Sequence, residues 1–166
     1  GETSFDTKSD LAVSPGEFLS RSLHLWNGQA SFGELQNQAY GYLFPQGSFA
    51  WVGELLGLPA WVVQRLWVAV VLVVAYEGVR RLFLALPGHG PWPSRSGAAV
   101  LAGLVYAAAP RVGGIAGVLS SEVTPPALLP WAVLAVVSHA TGRVSARTAG
   151  LAVGAAFLGM GGVNAV

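Results

Sequence analysis

Asp6 and Asp10 flank Lys8 in the run FDTKSDL. Two carboxylates in so short a polar stretch can take a proton from a hydroxyl as general base, or hold a divalent cation that neutralises a departing phosphate. The plainer alternative is two solvated acids and a lysine in a loop. Arg65 and Arg111 give a second signal, because each stands inside or at the edge of an apolar run, LPAWVVQRLW and LVYAAAPRV. An arginine at the centre of a membrane helix costs about 2.5 to 3.5 kcal/mol on insertion scales, so such residues face a cavity or snorkel to the interface. Facing a cavity, their planar forks suit the phosphate of a lipid-linked donor.

Other candidates are less specific. Glu122 in SSEVTPP can pair with an arginine or assist a metal, and Asn164 in GGVNA follows glycines that let another backbone approach. A loop acid and helix packing through small residues explain the two equally well. His24 reads as a surface histidine, and Trp26, Trp51, Trp61, Trp67 and Trp131 fit interfacial belts or packing, with sugar stacking as the minority role. There is no cysteine, so thiolate catalysis and disulfides are excluded, and the three histidines are scattered. A divalent cation stays open as cofactor, its identity unassigned, since the spacing of the acids specifies no coordination site. Walker, dinucleotide-binding, HExxH and GxSxG signatures are absent.

Elements that position these residues must live in a bilayer. The chain is 53% hydrophobic and 10% charged, where soluble domains carry about a quarter of their residues as charges. A formal charge of +1 with no basic cluster excludes nucleic acid as a partner. The apolar runs predict four membrane spans, at about 60–86, 97–119, 125–139 and 147–166. The second is interrupted by Pro110 and Arg111 and is expected to be broken or kinked, and the third is short for a straight crossing. The loop after the first span carries Arg80, Arg81 and Arg95 and the loop after the third carries Arg143 and Arg147, which makes both cytoplasmic. Residues 1–58, SSEVTPP and the final GGVNA then face the opposite side with every acid except Glu77. The first residues lack the basic start and apolar run of a signal peptide, and the last span ends without a polar flank, so further chain is expected at both ends.

Residues 1–58 form a domain of their own, an extracytoplasmic loop with amphipathic helices, before the helical region 59–166. Ser14 to Glu17 reads as a capping box with Pro15 in the first turn, leading a helix whose face carries Phe18, Leu19, Leu23 and Trp26. A second helix is predicted over 48–56, with Gly57 as its stop and Pro59 opening the first span. Between them QNQAYGYLFPQG has no period and suits a shaped polar loop.

FDTKSDL, FLSRSLHLW, QNQAYGYLFPQGSF, LPAWVVQRLW, APRV, SSE and GGVNAV occur in an order that resembles the amino-terminal part of the actinobacterial α-(1→3)-arabinofuranosyltransferases, the AftD family. The resemblance covers nearly the whole chain. It implies a GT-C-like transmembrane helix bundle, all-α, whose first extracytoplasmic loop bears a catalytic acid. It further implies a decaprenyl-phosphoryl-arabinofuranose donor, inversion at the sugar, and an arabinan acceptor in arabinogalactan or lipoarabinomannan. By that analogy Asp6 is the base and Asp10 its understudy, Arg65 and Arg111 stabilise the donor phosphate, and Gln36, Asn37 and Tyr40 orient sugar hydroxyls. Glu122 and Asn164 match family motifs without a defined role. The family's enzymes are far longer, so this stretch alone is expected to be inactive. Two other readings stay open: a related polyprenyl-phosphate-sugar transferase such as a mannosyltransferase, and a noncatalytic transporter or scaffold in which Arg65, Arg111 and Glu122 form an ion network.

Overall fold

The computed structural model describes residues 9–28, 32–35, 39–87, 92–116 and 120–160. They divide into two compact units, and the boundary, between Trp67 and Val68, falls inside one long helix.

In the first unit, helices α1 (Ser9–Val13) and α2 (Pro15–Ser22) are separated by Ser14 alone. Pro15 fits the first turn, where its missing N–H would have had no helical partner. Leu11, Phe18 and Tyr42 form a small buried core, with Phe18 meeting the Tyr42 ring edge-on at 6.2 Å. The face expected to continue to Leu23 and Trp26 does not do so. The helix ends at Ser22, whose hydroxyl donates back to the Phe18 carbonyl at 2.8 Å. Leu23 is 73% exposed, and Trp26 enters a two-residue antiparallel pairing, β1 (Trp26–Asn27) with β2 (Glu34–Leu35). The end of the amide-rich run is a 3-10 turn, Ala39–Tyr42, and a π turn, Leu43–Gly47, broken by the extended Phe44. As expected, the described part of the run, residues 39–47, contributes no core strand.

Helix α3 (Ser48–Leu55) stops as its sequence predicts. Gly57 takes φ +68°, its N–H donates to the Glu54 carbonyl at 2.9 Å, and the Leu58 N–H donates to Gly53 at 3.0 Å, a complete Schellman turn. The chain then enters α4 (Ala60–Ala85), 26 residues and about 39 Å long, more than the hydrocarbon thickness. Arg80 and Arg81, counted with the loop after the first span although inside its predicted bounds of 60–86, lie within this helix. Glu77 takes two hydrogen bonds from Arg80 and one from Arg81, all at 2.7 Å, so the helix continues past its charges to Ala85.

The second unit is built on that helix. Arg95, in α5 (Trp92–Ala107), donates to the Leu86 carbonyl and lies within 3.5 Å of those of Phe83 and Leu84, satisfying the C-terminal end of α4. The predicted break is present: α5 and α6 (Pro110–Ala116) meet at 51°. Helix α7 (Ser120–Ala140) corrects the expectation of a short third span. SSEVTPP is not a loop but its first two turns, and the 21-residue helix is long enough to cross. Pro125 and Pro126 withhold only the N–H groups due to Ser121 and Glu122 at the helix start. Pro130 withholds the one due to the Pro126 carbonyl, and the Tyr106 hydroxyl supplies it at 2.8 Å. A second Schellman turn at Gly142, φ +70°, leads to α8 (Ala146–Gly159), where Ser145 Oγ accepts the Thr148 N–H at 3.1 Å. At 14 residues, the described part of the fourth span is shorter than a crossing requires.

Close approach sets the packing. A Cβ on Gly103 would lie 2.7 Å from the Tyr76 carbonyl oxygen, and one on Gly78 would lie 2.6 Å from Trp131 Nε1. Trp131 therefore packs directly on α4, donating to the Val74 carbonyl at 3.0 Å, with the Arg81 guanidinium 5.1 Å from its ring centre.

Tyr106→Phe leaves the Pro126 carbonyl unpaired in apolar surroundings and should weaken α7 by about 1–3 kcal/mol. Hydrogen exchange over residues 120–140 of the full-length protein should accelerate accordingly. Adding Pro130→Ala, which restores the helical N–H, should cancel most of the loss.

Candidate active site

Asp10 is the second residue of α1, where a negative charge complements the helix dipole. Its carbonyl accepts the Ser14 N–H at 3.0 Å, and its carboxylate accepts from Arg21 Nη2 at 3.2 Å. Both tethers run toward α2. The carboxylate remains half-exposed, at 51% of its side-chain surface, and so accessible to a ligand.

The N-terminus of α2 is not closed by the capping box its sequence advertises. Ser14 makes no side-chain cap, and Glu17 is exposed. Instead the Gly16 N–H donates to Glu54 Oε2, 38 residues away on α3, at 2.8 Å. The carboxylate competes successfully because it brings a full negative charge to the positive end of the helix. Trp51, one turn before Glu54, packs against the same glycine, 3.4 Å from where a Cβ would stand. Sequence reasoning passed over Glu54. The signal was its isolation, as the one charged residue in FAWVGELLGL.

Arg65 is exposed in the second turn of α4, its guanidinium 5.1 Å from the centre of the Trp61 ring. A guanidinium held over an aromatic ring keeps N–H groups that can still meet an anion. Among the described residues no hydrogen bond or ion pair draws on them. Arg111, the second residue of α6, is likewise exposed just after the break in its span. Glu122, the third residue of α7, is exposed in the first turn and forms no ion pair among the described residues, so the expected pairing with an arginine is not made there. Asp6, Gln36, Asn37 and Asn164 lie outside the described residues, and Tyr40 belongs to the 3-10 turn Ala39–Tyr42. Among the described residues no three carboxylate or histidine groups gather to hold a metal ion.

The whole chain, residues 1–166, matches the family model of the alpha-(1->3)-arabinofuranosyltransferase N-terminal GT-C domain. Alpha-(1->3)-arabinofuranosyltransferases of Mycolicibacterium smegmatis and Mycobacterium tuberculosis are each 45% identical over 100% of it, and the chain spans 11% and 12% of their lengths. Two cryo-EM structures of arabinofuranosyltransferase AftD from mycobacteria match with TM-scores of 0.89 and 0.88, at 45% identity, over 99% of this chain and 13% of theirs. The helical membrane architecture expected from sequence is therefore the one found.

The exposed Asp10–Arg21 pair should add little to stability. Asp10→Asn is expected to speed hydrogen exchange across residues 9–22 of the full-length protein by less than about fivefold, under about 1 kcal/mol. A larger loss of activity in that variant would then reflect chemistry rather than unfolding.

Proposed function

This chain belongs to the α-(1→3)-arabinofuranosyltransferase family, within its amino-terminal GT-C domain, and from that premise we propose that the full-length protein moves arabinofuranose from decaprenyl-phosphoryl-arabinofuranose to cell-wall arabinan. The observation that carries this reading is 45% identity running through all 166 residues to relatives that bear the activity in their names.

The acceptor hydroxyl gives its proton to a carboxylate, and its oxygen bonds to the anomeric carbon from the face opposite the phosphate. The bond from that carbon to the phosphate oxygen breaks, which leaves an inverted linkage and polyprenyl phosphate. Asp6 is the base in this reading, with Asp10 next in line. Arg65 and Arg111 meet the charge that grows on the departing phosphate. The N–H groups of Arg65, unpaired among the described residues, support its part. Gln36, Asn37 and Tyr40 orient sugar hydroxyls, and Glu122 and Asn164 are supporting residues. Residues 1–58 face outward, and Arg95, Arg143 and Arg147 mark the cytoplasmic side. The described residues supply no ready cage for a divalent cation, and no step is routed through one.

The test is arabinofuranosyl transfer to a synthetic arabinan acceptor by the full-length protein in membranes, at matched expression. Asp6→Asn should lower kcat by about 10²–10⁴-fold with donor KM little changed. Arg65→Gln should lower kcat/KM for the donor by about 10²–10³-fold. Unchanged turnover in Asp6→Asn would move the base to Asp10 or Glu122. Transfer from a mannosyl donor alone would reassign the sugar, and no transfer from either donor would favour a noncatalytic membrane protein.

A further inference from the structure

We propose that Glu54 is a positioning residue for sugar transfer, holding the acid-bearing segment in register with the arginine-bearing start of α4; the inference rests on the transferase reading above.

The argument follows a chain of contacts within the first unit. The Asp10 main chain and side chain are both tied to α2 and the residue before it, through the Ser14 N–H at 3.0 Å and Arg21 Nη2 at 3.2 Å. Helix α2 is in turn fastened to α3 by Glu54 Oε2 on the Gly16 N–H at 2.8 Å. Helix α3 is joined to α4 by the Gly57 turn and by Phe49, whose ring lies 5.3 Å from that of the buried Trp67. Arg65 stands two residues before Trp67 on that helix. Glu54 is thus a polar link in a path from Asp10 to Arg65, and a shift of about 1 Å between two such groups costs on the order of 10²-fold in rate. Among the described residues its oxygen accepts from a backbone N–H alone. An amide oxygen can accept the same bond without the charge, which separates positioning from acid–base work.

The experiment uses the full-length protein with Glu54→Leu and Glu54→Gln. Hydrogen exchange over residues 14–22 should accelerate in Glu54→Leu and return toward the parent rate in Glu54→Gln. The same Glu54→Leu protein should lose about tenfold or more in kcat with donor KM within about twofold. Glu54→Gln should recover most of that turnover. Should Glu54→Leu fold too poorly to assay, Glu54→Gln decides by itself: near-parental turnover supports the cap, and loss of turnover with α2 still protected assigns the carboxylate to chemistry and overturns it. Full turnover in Glu54→Leu despite faster exchange of α2 overturns it as well. A parent that transfers no arabinofuranose defeats the functional reading itself, whereas an active parent with an indifferent Glu54→Leu defeats only this inference.

Discussion

Away from water, a backbone N–H or C=O that loses its helical partner must find another inside the protein or forfeit several kcal/mol. Most of the irregular features of this chain answer that requirement. Tyr106 pairs the carbonyl that Pro130 cannot serve, and Arg95 covers the exposed end of α4. Glycine turns close α3 and α7, and a carboxylate from α3 closes the start of α2. Each device is a polar side chain or a backbone twist spent on a helix end or on a proline's gap within a helix. Together they let broken, proline-bearing helices exist in an apolar chain.

Charge is handled by the same economy. Glu77 gathers Arg80 and Arg81 into one hydrogen-bonded cluster, so these three formal charges in the second half of α4 carry a net of one. Arg81 also lies over Trp131, joining the cluster to the packing of α7. Arg65 and Arg111 receive no such compensation among the described residues. That contrast separates cations that help to build the helices from cations with no ion pair among the described residues.

Much of this was legible in the residues. The long first span, the break at Pro110, the stop at Gly57 and the absence of a core strand in the described part of the amide-rich run follow from apolar length and local turn chemistry. What escaped the sequence were interactions between distant positions. Ser14 and Glu17 carry a local capping signal, yet Glu54 wins the site by reaching it through the fold. The double proline of SSEVTPP marks a loop by local rules, yet lies inside α7, which gives up only the two N–H groups due to Ser121 and Glu122. Leu23 and Trp26 extend the apolar period of α2 beyond the point where the helix ends. Of the site, the charged residues in apolar surroundings were recognisable by type, while the tether on Asp10 and the aromatic platform under Arg65 needed coordinates.

The contact between α4 and α7 has an evolutionary corollary. The indole of Trp131 occupies the space that any side chain at position 78 would claim, and its N–H reaches the main chain only because nothing intervenes. The two positions therefore form one heritable trait: a larger residue at 78 is admissible only in a lineage that has already given up the tryptophan. Among homologues, glycine at one position and tryptophan at the other should be gained and lost as a pair.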